Sequence, residues 1–326
     1  MNKITISITL VAVLSACNGG GGDSESNQTT DNRPAIALSA SNYEAAGKET
    51  MGGSSNAGTL AEFSSFLTGA EVGTVISFSQ FVQMKYPQAL NATKQAAYLS
   101  GVTINESEAC TEGGSVTYSG DINNEDNPTK GDSIAITANN CREFGSTING
   151  SMNIRIASVT GNVDSYPFSM ELEASTNNFG ASLGTVTYQS SGSMTMRTKV
   201  TSSSSQDISI TMPSMVSTVT ADGKTETYYY SNYVSDMTVR GSTITVSYNG
   251  NMNVPSLGGN LLTMQTSQPF VFSTNYPKSG SAIATTALGG KMRISSTSAT
   301  TALIELDANS DGTYEASKSM LWSQVY

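Results

Sequence analysis

Residues 150–156 read Gly-Ser-Met-Asn-Ile-Arg-Ile. Met152, Ile154 and Ile156 alternate with Asn153 and Arg155, so successive side chains point to opposite sides of an extended chain. One side is apolar and the other is polar or charged, the pattern of a half-buried antiparallel strand. The same period of two recurs on both sides of this stretch. Upstream it appears at Val116/Tyr118 and Ile134/Ile136/Ala138. Downstream it appears at Phe168/Met170/Leu172, Ile208/Ile210/Met212, Ile244/Val246/Tyr248, Met252/Val254, Phe270/Phe272, Met292/Ile294 and Ile304/Leu306. Asn-Gly, Asp-Gly, Gly-Gly and Ser-Gly pairs between these runs are turn formers. The region 114–326 therefore predicts roughly ten to thirteen strands.

An internal echo accompanies the strands. Gly150-Ser151-Met152-Asn153-Ile154 is followed by Gly192-Ser193-Met194-Thr195-Met196, Gly250-Asn251-Met252-Asn253-Val254 and Gly290-Lys291-Met292-Arg293-Ile294. The intervals of 42, 58 and 40 residues are too uneven for a solenoid repeat. We read the echo as hairpins of one meander, each glycine leaving a turn and each methionine entering a common apolar layer.

Ahead of the strands the composition differs. Ala35-Ile36-Ala37-Leu38 predicts a short strand, and Ser41 or Asn42 predicts the cap of a helix running to about Met51, broken by Gly52, Gly53 and Gly58. Further helical stretches are expected over 60–67 and over 79–99, the latter interrupted at Pro87. Residues 18–33, NGGGGDSESNQTTDNR, hold no residue able to anchor a core and predict a flexible tether with a reach of roughly 20 Å.

The first seventeen residues carry one basic residue, Lys3, and an apolar run from Ile4 to Leu14, as in a secretory signal peptide. Their ending, Leu14-Ser15-Ala16-Cys17, resembles the lipobox of bacterial lipoproteins. The resemblance implies a thioether-linked lipid on Cys17 and removal of residues 1–16. Asn18 after Cys17 resembles an outer-membrane sorting address, with the body in the periplasm or exposed on the surface. The chain has three cysteines; with Cys17 carrying lipid, Cys110 and Cys141 form an even pair in an exported protein and are expected to be disulfide-bonded.

Composition narrows the function. Sixteen basic and 26 acidic residues give a net charge of −10, which disfavours nucleic acid and anionic lipid surfaces as partners. The chain has no histidine, which removes the commonest general base, Ser-His-Asp chemistry and His-containing zinc sites. No catalytic motif is present, and a non-enzyme without a cofactor is expected. Two carboxylate groups stand out. Asp121, Asn123, Glu125, Asp126 and Asp132 fit a solvated turn or a calcium site. Asp307, Asn309 and Asp311, followed by Gly312, copy the first half of a calcium-binding EF-hand loop, but its twelfth position is Lys318 instead of glutamate. A plain Asp/Asn/Gly hairpin turn accounts for the same residues.

Fourteen methionines and fourteen tyrosines suit an adaptable apolar core or an acyl-binding groove. In the run Tyr228-Tyr229-Tyr230, Tyr229 faces opposite to its neighbours if the run is a strand. The terminal Met320-Leu321-Trp322-Ser323-Gln324-Val325-Tyr326 predicts a buried last strand with Trp322 in the core. The segments around Cys110-Thr111-Glu112-Gly113-Gly114, Gly131-Asp132 and Cys141, together with Asp307-x-Asn309-x-Asp311-Gly312-x-Tyr314-Glu315 and Trp322, resemble a recurring pattern in uncharacterised proteobacterial lipoproteins. That group brings no established activity.

The expectations are therefore as follows. Residues 1–16 are a signal peptide, 17–33 a lipidated cysteine and tether, 34–105 a helical part and 106–326 an antiparallel β domain. The fold is mainly β, a meander forming a curved sheet or incomplete barrel with the helices on its concave face, similar to unclosed barrels that carry or insert lipoproteins; a two-sheet sandwich is the alternative. The expected role is that of a membrane-anchored envelope protein binding a hydrophobic ligand or envelope partner. The alternatives are an adhesin-like or structural surface protein and a carboxylate-based hydrolase.

Overall fold

The structure is a computed structural model that describes residues 31–56 and 102–325, apart from 124–127, 144, 164, 222 and 273–275. The helical stretches expected over 60–67 and 79–99 lie outside the described residues, as does Cys17. Among the described residues, fourteen strands follow one another as a meander. The hydrogen-bonded order is the chain order, so the protein is mainly β with one open antiparallel sheet, and a sandwich is not needed. The chain divides into two compact units, described in turn.

The first unit contains β1 (Val102–Ala109), β2 (Ser115–Ile122), β3 (Ser133–Glu143), β4 (Ser146–Thr160), β5 (Phe168–Leu183) and β6 (Val186–Ser202). β1 begins at 102, inside the region expected to be helical. The apolar members of each alternation are buried, among them Val116, Tyr118, Ile136, Met152, Ile154 and Leu172. The opposite face carries cross-strand ion pairs, Arg155 with Glu173 at 2.9 Å and Arg197 with Glu171 at 2.9 Å. These exposed pairs each contribute at most ~1 kcal/mol.

The second unit comprises residues 207–219 of β7 (Ser205–Ala221), then β8 (Lys224–Arg240), β9 (Thr243–Asn253), β10 (Leu262–Phe272), β11 (Pro277–Thr286), β12 (Lys291–Ser296), β13 (Thr301–Asp307) and β14 (Ala316–Leu321), with helix α1 (Tyr43–Asn56). Trp322 is fully buried as expected, but it opens a 3-10 turn, Trp322–Gln324, after the last strand instead of lying within it. Residues 35–38 form no strand; the Ile36 N–H donates to the Leu257 carbonyl at 2.9 Å and joins no ladder.

α1 runs through Gly52 and Gly53 to Asn56, past the glycines expected to end it. Glycine costs a helix up to ~1 kcal/mol relative to alanine, so packing must favour it here. A β-carbon on Gly53 would lie 2.9 Å from Tyr228 Cδ1 and 2.9 Å from Met252 Cε, and one on Gly47 would lie 2.6 Å from Ile304 Cδ1. Close approach of helix to sheet requires these bare positions. Asn42 begins the helix differently from a side-chain cap: its Oδ1 accepts the Ser39 N–H at 2.8 Å while its carbonyl accepts the Ala46 N–H.

The internal echo has a different cause from the one its spacing suggested. Gly290 does leave the β11–β12 turn, but Gly150, Gly192 and Gly250 sit within β4, β6 and β9. They lie beside β-bulges whose asparagines, Asn140, Asn178 and Asn232, have φ of 48°, 46° and 47°. A β-carbon on Gly250 would stand 2.5 Å from the Asn232 carbonyl oxygen, and one on Gly150 would stand 2.2 Å from that of Asn178. The residue before the glycine completes two of the bulges: Asn149 Oδ1 accepts the Asn140 N–H and Ser191 Oγ accepts the Asn178 N–H, both at 2.8 Å. Met152, Met194, Met252 and Met292 are all buried, as the echo requires.

Candidate functional site

The structure places four groups of residues singled out by the sequence, two in each unit. Cys110 and Cys141 form a disulfide with their Cα atoms 5.4 Å apart, linking the end of β1 to β3. The link closes a separation of 31 residues, which in the chain-entropy model contributes roughly 3–4 kcal/mol. Beside it Glu143 is buried, and its Oε1 accepts the Thr111 N–H at 3.3 Å.

The acidic interval after β2 is organised by one carboxylate. Asp132 is buried; its Oδ1 accepts from Asn123 N at 2.9 Å and Thr129 Oγ1 at 2.8 Å, and its Oδ2 accepts from Thr129 N at 2.7 Å. Asp121 lies exposed in β2, while Glu125 and Asp126 fall outside the described residues. Asp132 spends its lone pairs on holding the β2–β3 connection, the solvated-turn arrangement.

Asp307, Asn309 and Asp311 occupy the β13–β14 connection. Carboxylate oxygens of Asp307, Asp311 and Glu315 lie within 4.8 Å of one another, so these three are the residues that would hold a cation. Glu315 belongs to this set although the EF-hand pattern directed attention to position 318; Lys318 instead faces Glu44 at 3.7 Å. Each carboxylate already has a partner. Asp307, 1% exposed, accepts Asp311 N at 3.1 Å through Oδ1 and Gly312 N at 3.0 Å through Oδ2. Asp311 Oδ1 accepts Thr313 N at 2.7 Å and its Oδ2 accepts Asn309 Nδ2 at 3.0 Å. These bonds hold the Asp311 carboxyl below its ordinary range, the Thr313 backbone bond being the largest cause. Glu315 Oε2 accepts Ala308 N at 2.9 Å, and Lys291 Nζ stands 4.0 Å from Asp307 Oδ2. Ser310 turns the chain with φ of 61° and Gly312 with φ of 93°. The loop is a self-satisfied hairpin connection.

The tyrosine run resolves into a junction between β8 and α1. Tyr228 and Tyr230 are buried and Tyr229 lies on the other side, half-buried, as the alternation requires. The bulge at Asn232 resets the period, so Tyr233 returns to the buried side. Tyr230 Oη donates to the Gly53 carbonyl at 2.8 Å, within the last turn of α1, whose carbonyls otherwise lack intrahelical partners. Tyr233 Oη donates to Ser54 Oγ at 2.8 Å, and Ser54 donates onward to the Thr50 carbonyl at 2.7 Å. The two rings meet edge-on with centroids 5.5 Å apart. Burial pushes the Tyr233 phenol well above its ordinary value. It is a structural hydroxyl, locked neutral.

At the other side of this junction Glu49 is the partly buried carboxylate of α1. Its Oε2 accepts the Ser256 N–H at 2.8 Å in the 3-10 turn Pro255–Leu257. Burial raises the Glu49 carboxyl above its ordinary value; the Ser256 bond opposes that, Glu226 adds to it and Arg33 subtracts from it. Sequence reading passed over Glu49, because a lone glutamate in a helix carries no sign of the turn 207 residues away that it caps. No family model matches the chain, and no curated protein or solved structure matches it.

Proposed function

We propose that this is a lipid-anchored, non-enzymatic protein of the bacterial envelope, held in the outer membrane through Cys17, whose β body acts by binding a hydrophobic ligand or an envelope partner in the periplasm. The observation that carries the reading is the pairing of Cys110 with Cys141. Disulfides persist in oxidising compartments outside the cytosol, and this pair leaves Cys17 as the remaining cysteine of three, placed at the end of the Leu-Ser-Ala-Cys sequence. The absence of histidine from the chain supports binding over acid–base catalysis.

The anchor is tested by intact mass analysis of the N-terminal peptide from the chain expressed in a bacterium. Cleavage before residue 17 with an added diacylglycerol mass is expected, and Cys17→Ser abolishes both. Protease treatment of whole cells separates the periplasmic body from the surface-exposed alternative: protection is expected. Native mass spectrometry with lipid extraction tests the ligand, and a body found consistently empty assigns the role to a protein partner.

A further inference from the structure

The end of the second unit where the tether meets the body is an exposed apolar surface assembled from three separate segments. Five large apolar side chains are exposed among the described residues, and three of them, Ile36, Leu261 and Leu288, lie here at 49%, 38% and 55% exposure. One buried side chain ties the segments together. Asn260 donates through Nδ2 to the Ile36 carbonyl at 3.0 Å and accepts the Leu288 N–H through Oδ1 at 3.3 Å. The Ile36 N–H reaches the Leu257 carbonyl and the Ala287 N–H reaches the Leu261 carbonyl, each at 2.9 Å. The apolar tips therefore stand on hydrogen-bonded backbone instead of on free loops.

The segments presenting them, residues 34–42, 254–262 and 286–290, contain no charged residue in a chain that is 13% charged. Ionic groups flank the surface: Asp31 and Arg33 neutralise one another as a bonded pair, Glu49 accepts the Ser256 N–H, and the turn that carries Asp311 adjoins through Ser310 Oγ, which accepts the Gly290 N–H. The chain outside the structure ends at this surface. Thirteen residues separate Cys17 from Asp31, a length of chain that cannot reach beyond about 47 Å even at full extension.

We propose that Ile36, Leu261 and Leu288 form a membrane-contact surface that inserts into the interfacial region of the leaflet holding the Cys17 lipid; this rests on the lipid-anchor reading above. A short tether confines this end of the body near the bilayer, and rigid uncharged apolar tips then gain by leaving water at the headgroup boundary. The diacylglycerol expected on Cys17 brings two acyl chains, which suffice for anchorage, so the apolar contact serves to orient the body against the leaflet. The proposal explains why apolar side chains are exposed here although most of their kind are buried.

The test uses the full chain, processed in cells and reconstituted in phosphatidylethanolamine and phosphatidylglycerol vesicles carrying acyl-chain nitroxides. Leu288→Cys and Leu261→Cys are each labelled with an environment-sensitive dye, with exposed Leu321→Cys at the opposite end of the strands as control. Blue-shifted emission lost with increasing nitroxide at 288 and 261, but not at 321, is the expected result. Water-like emission at 288 and 261 in protein carrying lipid on Cys17 overturns the contact surface and leaves the anchor intact. A blue shift that nitroxide does not quench, growing with protein density, makes the occupant a second copy and overturns the membrane assignment. Absence of lipid mass on Cys17 overturns the anchor and this inference with it.

Discussion

Tyr233 Oη donates to Ser54 Oγ at 2.8 Å across 179 residues of sequence, fixing the end of the N-terminal helix to the eighth strand. Replacing Tyr233 with phenylalanine keeps the ring packing and removes this bond alone, since Ser54 retains the Thr50 carbonyl. A loss of about 1 kcal/mol is expected, measured by urea denaturation. An unchanged midpoint excludes a stabilising role for the bond.

Adjacent glycines of α1 are expected to respond oppositely to alanine. At Gly52 a β-carbon meets nothing closer than the Val325 carbonyl oxygen at 3.5 Å, so Gly52→Ala gains helix propensity and stabilises by roughly 0.5–1 kcal/mol. At Gly53 the Tyr228 ring blocks the same change, and overpacking of about 1–3 kcal/mol outweighs the propensity gain. Melting temperatures of the two variants decide it; a common direction of change removes close packing as the reason for Gly53.

Glu49 makes stability depend on pH. Its folded-state carboxyl titrates above the ordinary 4.5, so between the two values the folded chain holds a proton that the unfolded chain has released. Stability from this group therefore falls as pH rises through that window and is lowest above it. Asp31, held down by its bond to Arg33, works in the opposite sense: its contribution is present above its ordinary value and is lost as pH falls. Glu49→Gln preserves an acceptor for the Ser256 N–H without the charge, and after solvent screening a gain of a few tenths of a kcal/mol at neutral pH is expected. Denaturation across pH 4–8 tests this; equal slopes for both proteins dismiss the Glu49 contribution.

The β13–β14 turn is expected to hold its shape without a cation, because its carboxylates are engaged by backbone N–H groups. Calcium or a chelator should leave the melting temperature unchanged, whereas Asp307→Asn turns an amide donor toward the Asp311 or Gly312 N–H and costs about 1–2 kcal/mol. A calcium-dependent rise in melting temperature that Asp307→Asn abolishes assigns an ion to the loop instead.

The strands were legible because a half-buried strand writes its two faces directly into a period of two; Met152, Ile154 and Ile156 need no tertiary knowledge. The helix was legible at its start but not at its end. Gly52 and Gly53 look like breakers by propensity, and only the ring of Tyr228, 175 residues further on, explains why Gly53 is tolerated. The bulges left a trace that pointed to turns: glycine followed by methionine was seen, but the asparagine across the ladder that requires it belongs to another strand. Ala35–Leu38 has strand composition without a ladder to join. The cysteine pair was found through a resemblance at Cys17, and the 307–315 loop was recognised by oxygen spacing, which a hairpin turn and a cation loop share. Glu315 was missed as a neighbour of Asp307 because the comparison loop places its last acid three residues later.

The meander also orders events during synthesis. Every strand pairs with the one made just before it, so the sheet can grow from β1 onward as the chain emerges. Helix α1 is made before any strand, yet its packing partners include Ile304 of β13 and Met292 of β12. It must wait, with its apolar side unsatisfied, until almost the whole polypeptide has been delivered. The packed position of the helix therefore becomes available only once β12 and β13 have been made.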